Sequence, residues 1–304
     1  MDVDGQALSY LAGAKWVAYV GLVGLTGALA VRRLLVPVTA VHEETTVLER
    51  VLRNVATYSA CLVTLSAAAR LYAQTYSVFG LEEPITFELI RVVGLDSRWG
   101  ERWQPQAWLS LLTLAASVSS WWLPSIGWRL IAGSTMLLWL ILPLTGHAMA
   151  FSTSVPWVAQ SAHGLAVGLW VGSLFSIFAV STPLLAMQDG PNRVADLIRR
   201  FSPLAVGAVS VIFLTGLVTT WFYLDTVSQL QETWYGKILL VKIGFVLVTA
   251  AFGAYNWRCL SRKLGSRGGS NKLRESVRLE LTAALVVLLV TAVLVHLAMP
   301  HELG

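Results

Sequence analysis

Eight apolar stretches divide this chain, and they constrain its fold more than any other feature. A transmembrane helix needs about 20 apolar residues to cross the hydrocarbon core of a membrane. The stretches cover approximately residues 8–31, 55–76, 107–123, 128–145, 157–180, 203–224, 238–257 and 279–298. Because 56% of the 304 residues are hydrophobic and 13% are charged, we predict an all-α membrane protein, a polytopic bundle of eight transmembrane helices.

The basic residues predict how this bundle is oriented. Most of them follow the first, fifth and seventh stretches, and these are Arg32, Arg33, Arg50, Arg53, Arg193, Arg199, Arg200, Arg258, Arg262, Lys263, Arg267, Lys272, Arg274 and Arg278. Loops on the other side hold only Arg91, Arg98 and Arg102. Because basic loops stay in the cytoplasm, both termini are predicted to be periplasmic, in a multi-pass protein of a bacterial inner membrane. The net charge of +5 describes these loops and gives no support to nucleic acid binding.

Two regions are expected within the bundle. Residues 1–144 form an N-terminal four-helix membrane region with a long outer loop at 77–106, and residues 145–304 form a second four-helix region. Within the loop, ITFELIRVVGLDSRW has the spacing of a short helix that lies along the membrane surface. The N-terminus lacks the basic start and cleavage site of a secretory signal, so the first stretch is expected to remain in the protein.

Four of the five histidines fall on the predicted periplasmic side. His147 closes the fourth stretch, His163 lies about two turns inside the fifth, His296 ends the eighth, and His301 follows it. Neutral imidazole binds copper, zinc and iron, so this coincidence indicates a metal site. A histidine at a helix end also serves to hydrogen-bond a backbone carbonyl, which is the structural alternative for each of them.

Two methionines accompany these histidines. Met149 lies beside His147 and Met299 lies beside His296. Thioether ligands favour Cu(I), although a methionine in a membrane helix more often serves packing. The predicted metal ligands are therefore His147, His163, His296, Met149 and Met299.

The second half of the chain resembles the copper resistance protein D family of bacterial inner-membrane proteins. The resemblance depends on GHA at 146–148, HGLAVGLWVGSLF at 163–175, RFSPLAVGAVSVIFLTGLVTTW at 200–221, TWYGKILLVKIGFVLVTAAFGAYNW at 233–257 and VRLELTAALVVLLVTAVL at 277–294. It implies a copper-handling protein that moves copper from periplasm to cytoplasm, often beside a small periplasmic copper-binding protein. It also implies that His147 and His163 are copper-site residues.

The leading hypothesis is an inner-membrane copper transport or copper-resistance protein that binds copper, as Cu(I), on its periplasmic side. It is expected to have no enzymatic activity, and no sequence typical of an ATP-driven pump is present. One alternative is a b-type cytochrome in which a histidine pair from two helices binds haem b. Another is a membrane scaffold for a copper chaperone with no transport of its own.

Overall fold

The computed structural model describes residues 5–35, 42–80, 82–255 and 267–299. Among these residues the fold is helical throughout, without a β-strand. The α-helices are α1 (Gly5–Leu35), α2 (His42–Phe79), α3 (Phe87–Leu95), α4 (Arg98–Ser119), α5 (Pro124–Ile141), α6 (Val155–Val167), α7 (Ser173–Ala186), α8 (Gly190–Tyr223), α9 (Gln229–Glu232), α10 (Trp234–Tyr255) and α11 (Arg267–Leu294). Short 3-10 turns cover Leu142–Thr145 and His147–Met149, and a π-helical turn, Gly168–Gly172, joins α6 to α7.

Six helical segments are long and apolar enough to cross a membrane. They are Gly5–Leu35, Pro124–Thr145, Val155–Ala186, Gly190–Tyr223, Trp234–Tyr255 and Arg274–Leu294. The chain is therefore a multi-pass membrane protein. Helices α2 and α4 cover the predicted second and third spans, but their charged and polar residues keep them outside this set. The count of eight spans and the periplasmic location of both termini remain predictions.

The predicted short helix in the outer loop is confirmed as α3. Thr86 caps its first turn, because the Thr86 hydroxyl accepts a hydrogen bond from the Leu89 backbone N–H. Glu88 and Arg91 form a surface ion pair one turn apart, with an N–O distance of 2.6 Å. This hydrogen bond and the positive charge of Arg91 lower the pKa of the Glu88 carboxyl below its ordinary value.

Helix α1 is the central helix of the bundle. It contacts α2, α5, α6, α7, α8, α11 and the π-helical turn. The closest approach is between Gly27 of α1 and Gly172 of the π-helical turn. A Cβ atom built on Gly27 would lie 1.9 Å from the Gly172 carbonyl oxygen, and one on Gly172 would lie 2.0 Å from the Val23 oxygen. Only glycine at both positions allows this backbone-to-backbone crossing.

A buried tryptophan fixes the same crossing from a third helix. Trp139 of α5 donates its indole N–H to the Thr26 hydroxyl at 2.9 Å. A Cβ atom on Gly168 would lie 2.8 Å from Thr26, and one on Gly164 would lie 2.4 Å from the Trp139 ring. Helices α1 and α5 therefore determine the position of α6, the helix that carries His163.

The long helices define two ends of the bundle. One contains the C-termini of α5 and α8 and the N-terminus of α6, and we call it the histidine end because His147 and His296 lie there. We call the opposite end, where α2 and α11 begin, the arginine end. Consecutive long helices run alternately between these two ends, as expected for a membrane bundle.

Candidate metal centre

Three side chains from α1 and α4 donate to carbonyl groups at the C-terminal end of α5 and in the 3-10 turn that follows it. Lys15 donates to the Leu142 oxygen at 3.4 Å and Gln106 donates to the Ile141 oxygen at 3.0 Å. Arg102 donates to the Leu144 oxygen, also at 3.4 Å. Cations and amides suit this position because the last carbonyls of a helix carry partial negative charge. The chain just before His147 is therefore fixed by the N-terminal half of the protein.

Arg70 connects this helix end to α4. Its guanidinium donates to the Gln106 side-chain oxygen at 2.8 Å and to the Thr145 hydroxyl at 2.7 Å. Arg70 is 7% exposed and Lys15 is 3% exposed, and neither forms an ion pair in the part of the chain that the structure describes. A buried guanidinium and a buried lysine amine thus lie next to the segment that carries His147.

His147 and His296 both lie at the histidine end. A Cβ atom on Gly146 would lie 3.6 Å from a methyl group of Val295, so the two segments run near each other. The two imidazoles are close enough to interact electrostatically, and Lys15 and Arg70 also act on His296. The His147 and Tyr223 rings form a T-shaped pair, with 6.2 Å between ring centroids. Two predicted ligands from segments far apart in sequence therefore lie in the same region.

His296 presents one ring nitrogen to the interior without a partner. The backbone of Leu11 in α1 lies near the imidazole. The Nε2 atom of His296 is buried and has no hydrogen-bond partner among the described residues. The buried Nε2 atom is available to a ligand.

His163 lies deeper in the bundle and faces α8. Its Nδ1 atom is 3.0 Å from the Thr215 hydroxyl oxygen, and that hydroxyl donates its proton to the Val211 carbonyl at 2.6 Å. Because Thr215 has only one proton to donate, His163 donates from Nδ1, and the lone pair is on Nε2. In this tautomer Nε2 is the ring nitrogen that can bind a metal.

Lys242 and Thr215 lie at the same depth as His163. Each is eight residues from the histidine end of its helix, or about 12 Å along the axis, as is His163 in α6. Lys242 acts electrostatically on His163. His163 therefore lies deeper in the bundle, further from the histidine end, than His147 and His296.

The two predicted methionine ligands differ in environment. Met299 is 0% exposed and lies in a cluster with Tyr223, Tyr235 and Leu294. Met149 is 41% exposed, in the 3-10 turn that begins at His147. Met299 thus belongs to the same apolar cluster as Tyr223, whose ring pairs with His147, whereas Met149 is exposed.

The three described histidines of the predicted site do not form a group of three among themselves. Within residues 5–35, 42–80, 82–255 and 267–299, no three His, Cys, Asp or Glu side chains are grouped closely enough to hold a metal ion. His301 lies outside the described residues. The residues that sequence reasoning did not assign to the site are Lys15, Arg70 and Gln106. Their signal was an ionisable or amide group within an apolar stretch, which is costly unless it has a role.

Comparisons with known proteins match both halves of the chain. The family described as Copper resistance protein D matches residues 195–294, and the family described as Copper resistance protein D-like, N-terminal domain matches residues 6–157. The copper transport protein CutJ of Bacillus subtilis (strain 168) is 30% identical over 159 residues, which cover 52% of this chain and 28% of that relative. This chain thus spans less than a third of the length of CutJ. No solved structure matches. The N-terminal match includes the helices that fix the segment before His147, and the second match includes Thr215 and Lys242. The chain belongs to the copper resistance protein D family.

Proposed function

We propose that this membrane protein transports copper, or confers copper resistance, by holding Cu(I) between His147 and His296. Membership of the copper resistance protein D family and the similarity to a copper transport protein support copper as the cargo. The family and the relative are both named for copper transport or copper resistance. The bacterial inner membrane is the location that fits the family and the six apolar helical segments.

The buried Nε2 atom of His296 carries this proposal. A buried polar atom without a partner costs free energy on the order of 1–3 kcal/mol, and binding a metal ion removes that cost. His147 supplies a second imidazole next to it. Two neutral nitrogen ligands from separate segments are a suitable set for a soft monovalent ion, and Met299, which shares an apolar cluster with Tyr223, is the candidate for an additional thioether ligand.

The charges around the pair favour Cu(I) over Cu(II). Lys15 and Arg70 are buried, and both act on His296. Their repulsion on a bound cation is proportional to its charge, so it is half as large for Cu(I) as for Cu(II). The same positive field favours neutral imidazoles, which are the forms that bind a metal.

His163 is proposed as a second copper-binding position along a path towards the arginine end. Its Nε2 lone pair and the hydrogen bond from Nδ1 to Thr215 support this role. The separation in depth between His163 and the outer pair supports transfer between two sites over a single closed site. Inward movement, and delivery by a small periplasmic copper-binding protein, come from the family resemblance.

Metal analysis of purified protein tests the copper proposal. Wild-type protein reduced under anaerobic conditions is expected to bind Cu(I) in competition with a chromogenic chelator, and the His147→Ala/His296→Ala variant is expected to lose this binding. Liposomes containing the wild-type protein are then assayed for copper flux. Binding without flux would support a scaffold role and contradict transport.

An absorption spectrum of the same sample tests the haem alternative. The cavity between α7, α8, α10 and α11 has no histidine in its lining, so it offers no axial ligand to a porphyrin. We therefore expect no Soret band. A Soret band that shifts on reduction would replace the copper proposal with a cytochrome.

A further inference from the structure

A cavity of about 350 Å³ lies near the arginine end, away from the proposed copper site. Its walls come from α7, α8, α10 and α11, and they are mainly apolar, including Phe178, Phe201, Ala205, Ala250 and Val277. This volume is in the range of about 300–1,000 Å³ that is typical of small-molecule sites. The cavity is therefore large enough to hold a flexible apolar chain.

The cavity is positioned to receive molecules from the membrane. Helices α8 and α10 have the smallest buried fraction of the six apolar segments, at 11% each, compared with 67% for α1. Val206, in the cavity wall on α8, is exposed. Because the exposed surface of these helices faces lipid, the medium next to the opening consists of acyl chains.

Two arginines lie beside the cavity. Arg274 lines it and donates to the Thr182 hydroxyl at 2.9 Å. The guanidinium carbons of Arg274 and Arg278 lie 5.0 Å and 5.6 Å from the centre of the Phe178 ring. Neither arginine forms an ion pair with a residue in the described ranges. No carboxylate among the described residues pairs with either of these two positive charges.

Along the membrane normal, Arg274 and Arg278 lie at the level expected for lipid headgroups. Arg274 is 20 residues before Leu294, so the two are about 30 Å apart along α11, which equals the thickness of a hydrocarbon core. The arginine end also has the basic loops that predict a cytoplasmic location. Anionic lipids are abundant on that side of a membrane, and guanidinium groups bind phosphate in a two-pronged geometry.

We propose that this cleft binds an anionic phospholipid, with its phosphate at Arg274 and Arg278 and one acyl chain in the cavity. Glu280 also borders the cavity, about 9 Å beyond Arg274 and about 3 Å beyond Arg278 along α11, where it is 2% exposed. Glu280 has an interaction of its own. The lipid site is independent of copper binding at the histidine end.

Native mass spectrometry of the full-length protein in detergent tests this site. Phosphatidylglycerol and phosphatidylcholine are added separately at equal concentrations. The wild-type protein is expected to retain phosphatidylglycerol preferentially. Arg274→Gln/Arg278→Gln is expected to weaken retention of phosphatidylglycerol about thirtyfold, since each basic side chain near a membrane surface contributes on the order of a factor of five. Arg129→Gln, an exposed arginine of α5 that bonds only Ser125, is the control and should behave as wild type.

A second variant separates the acyl chain from the headgroup. Ala205→Phe fills the cavity and leaves both arginines in place, so it is expected to reduce retention of phosphatidylglycerol at least tenfold, with an unchanged melting temperature as the folding control. Unchanged lipid retention in either variant would overturn the proposal. Displacement of the lipid by inorganic phosphate alone would also overturn it in favour of a simple phosphate site. A lipid-free dimer in the same spectra would show that a second copy of the chain covers the cleft.

Discussion

Arg70 of α2 donates a hydrogen bond to the Thr145 hydroxyl at 2.7 Å, two residues before His147. His147 and His296 are separated by most of the second half of the chain, yet their imidazoles are near enough to interact electrostatically. The location of His147 depends on the hydrogen bonds that fix the end of α5.

Removal of either outer histidine is expected to remove most copper binding. His296→Ala leaves a single imidazole, and we expect the Cu(I) affinity to fall by more than about 100-fold, which is the upper limit for changes outside the ligand shell. Competition with a Cu(I) chelator measures this affinity. His42→Ala is the matched control, because α2 begins at His42 at the opposite end of the bundle. Equal affinity in the His296→Ala and His42→Ala proteins would contradict a site at His296.

The hydrogen bond from His163 to Thr215 is expected to affect copper transfer more than copper binding. Thr215→Val retains the shape of the side chain but removes the oxygen that accepts from Nδ1, so the tautomer and orientation of His163 are no longer fixed. We expect copper flux in liposomes to fall about 10- to 100-fold, while the copper content at the histidine end stays unchanged. Thr219→Val is the control, because the Thr219 hydroxyl bonds only the Thr215 carbonyl. A loss of flux as large in Thr219→Val would indicate a general effect on α8.

Arg70 is expected to stabilise the fold through its two side-chain partners. Arg70→Gln leaves the Thr145 hydroxyl and the Gln106 oxygen without their charged donor, and hydrogen bonds to charged groups contribute on the order of 1.5–3 kcal/mol. We therefore expect a clear decrease in the melting temperature of the detergent-solubilised protein. Arg70→Lys should recover only part of this loss, because lysine cannot reproduce the guanidinium geometry. Arg91→Gln is the control, since Arg91 is exposed and its loss should leave the melting temperature nearly unchanged.

The crossing of α1 and the π-helical turn is expected to tolerate no side chain. Gly27→Ala places a methyl group 1.9 Å from the Gly172 oxygen, so the helices must separate, and overpacking of this kind costs at least about 1–3 kcal/mol. Thermal unfolding measures the loss. Gly133→Ala in α5 is the matched control, because no atom lies within 4 Å of the added methyl group. That control is expected to be neutral or to stabilise the helix by about 0.5–1 kcal/mol. Similar melting temperatures for the two variants would contradict the close crossing.

Sequence periodicity located the long helices well and their interruptions poorly. The predicted span 157–180 corresponds to α6, the π-helical turn and α7, but nothing in the run HGLAVGLWVG distinguishes a widened turn from a regular one. The turn is determined by contacts with Gly27 and Thr26, far away in sequence. Helix α8 also begins 13 residues before its predicted span, because its first turns are polar and extend beyond the apolar stretch.

The sequence predicted which residue types belong to the candidate site but not how these residues are arranged in space. Counting spans placed His147, His163 and His296 on one side, and the structure places two of them together and His163 about 12 Å inside α6. The environment of Met299, among Tyr223 and Tyr235, depends on the end of α8 and the start of α10. Long-range packing of this kind leaves no local pattern in a sequence.

The crossing at Gly27 and Gly172 has a mechanical consequence for how the bundle can move. With peptide groups in direct contact, there is no side chain whose rotation could absorb a relative displacement of the two helices. A shift of α1 along its axis must therefore also displace the π-helical turn. About one turn of α6 separates the π-helical turn from His163. A movement of the N-terminal half then changes the position of His163 directly.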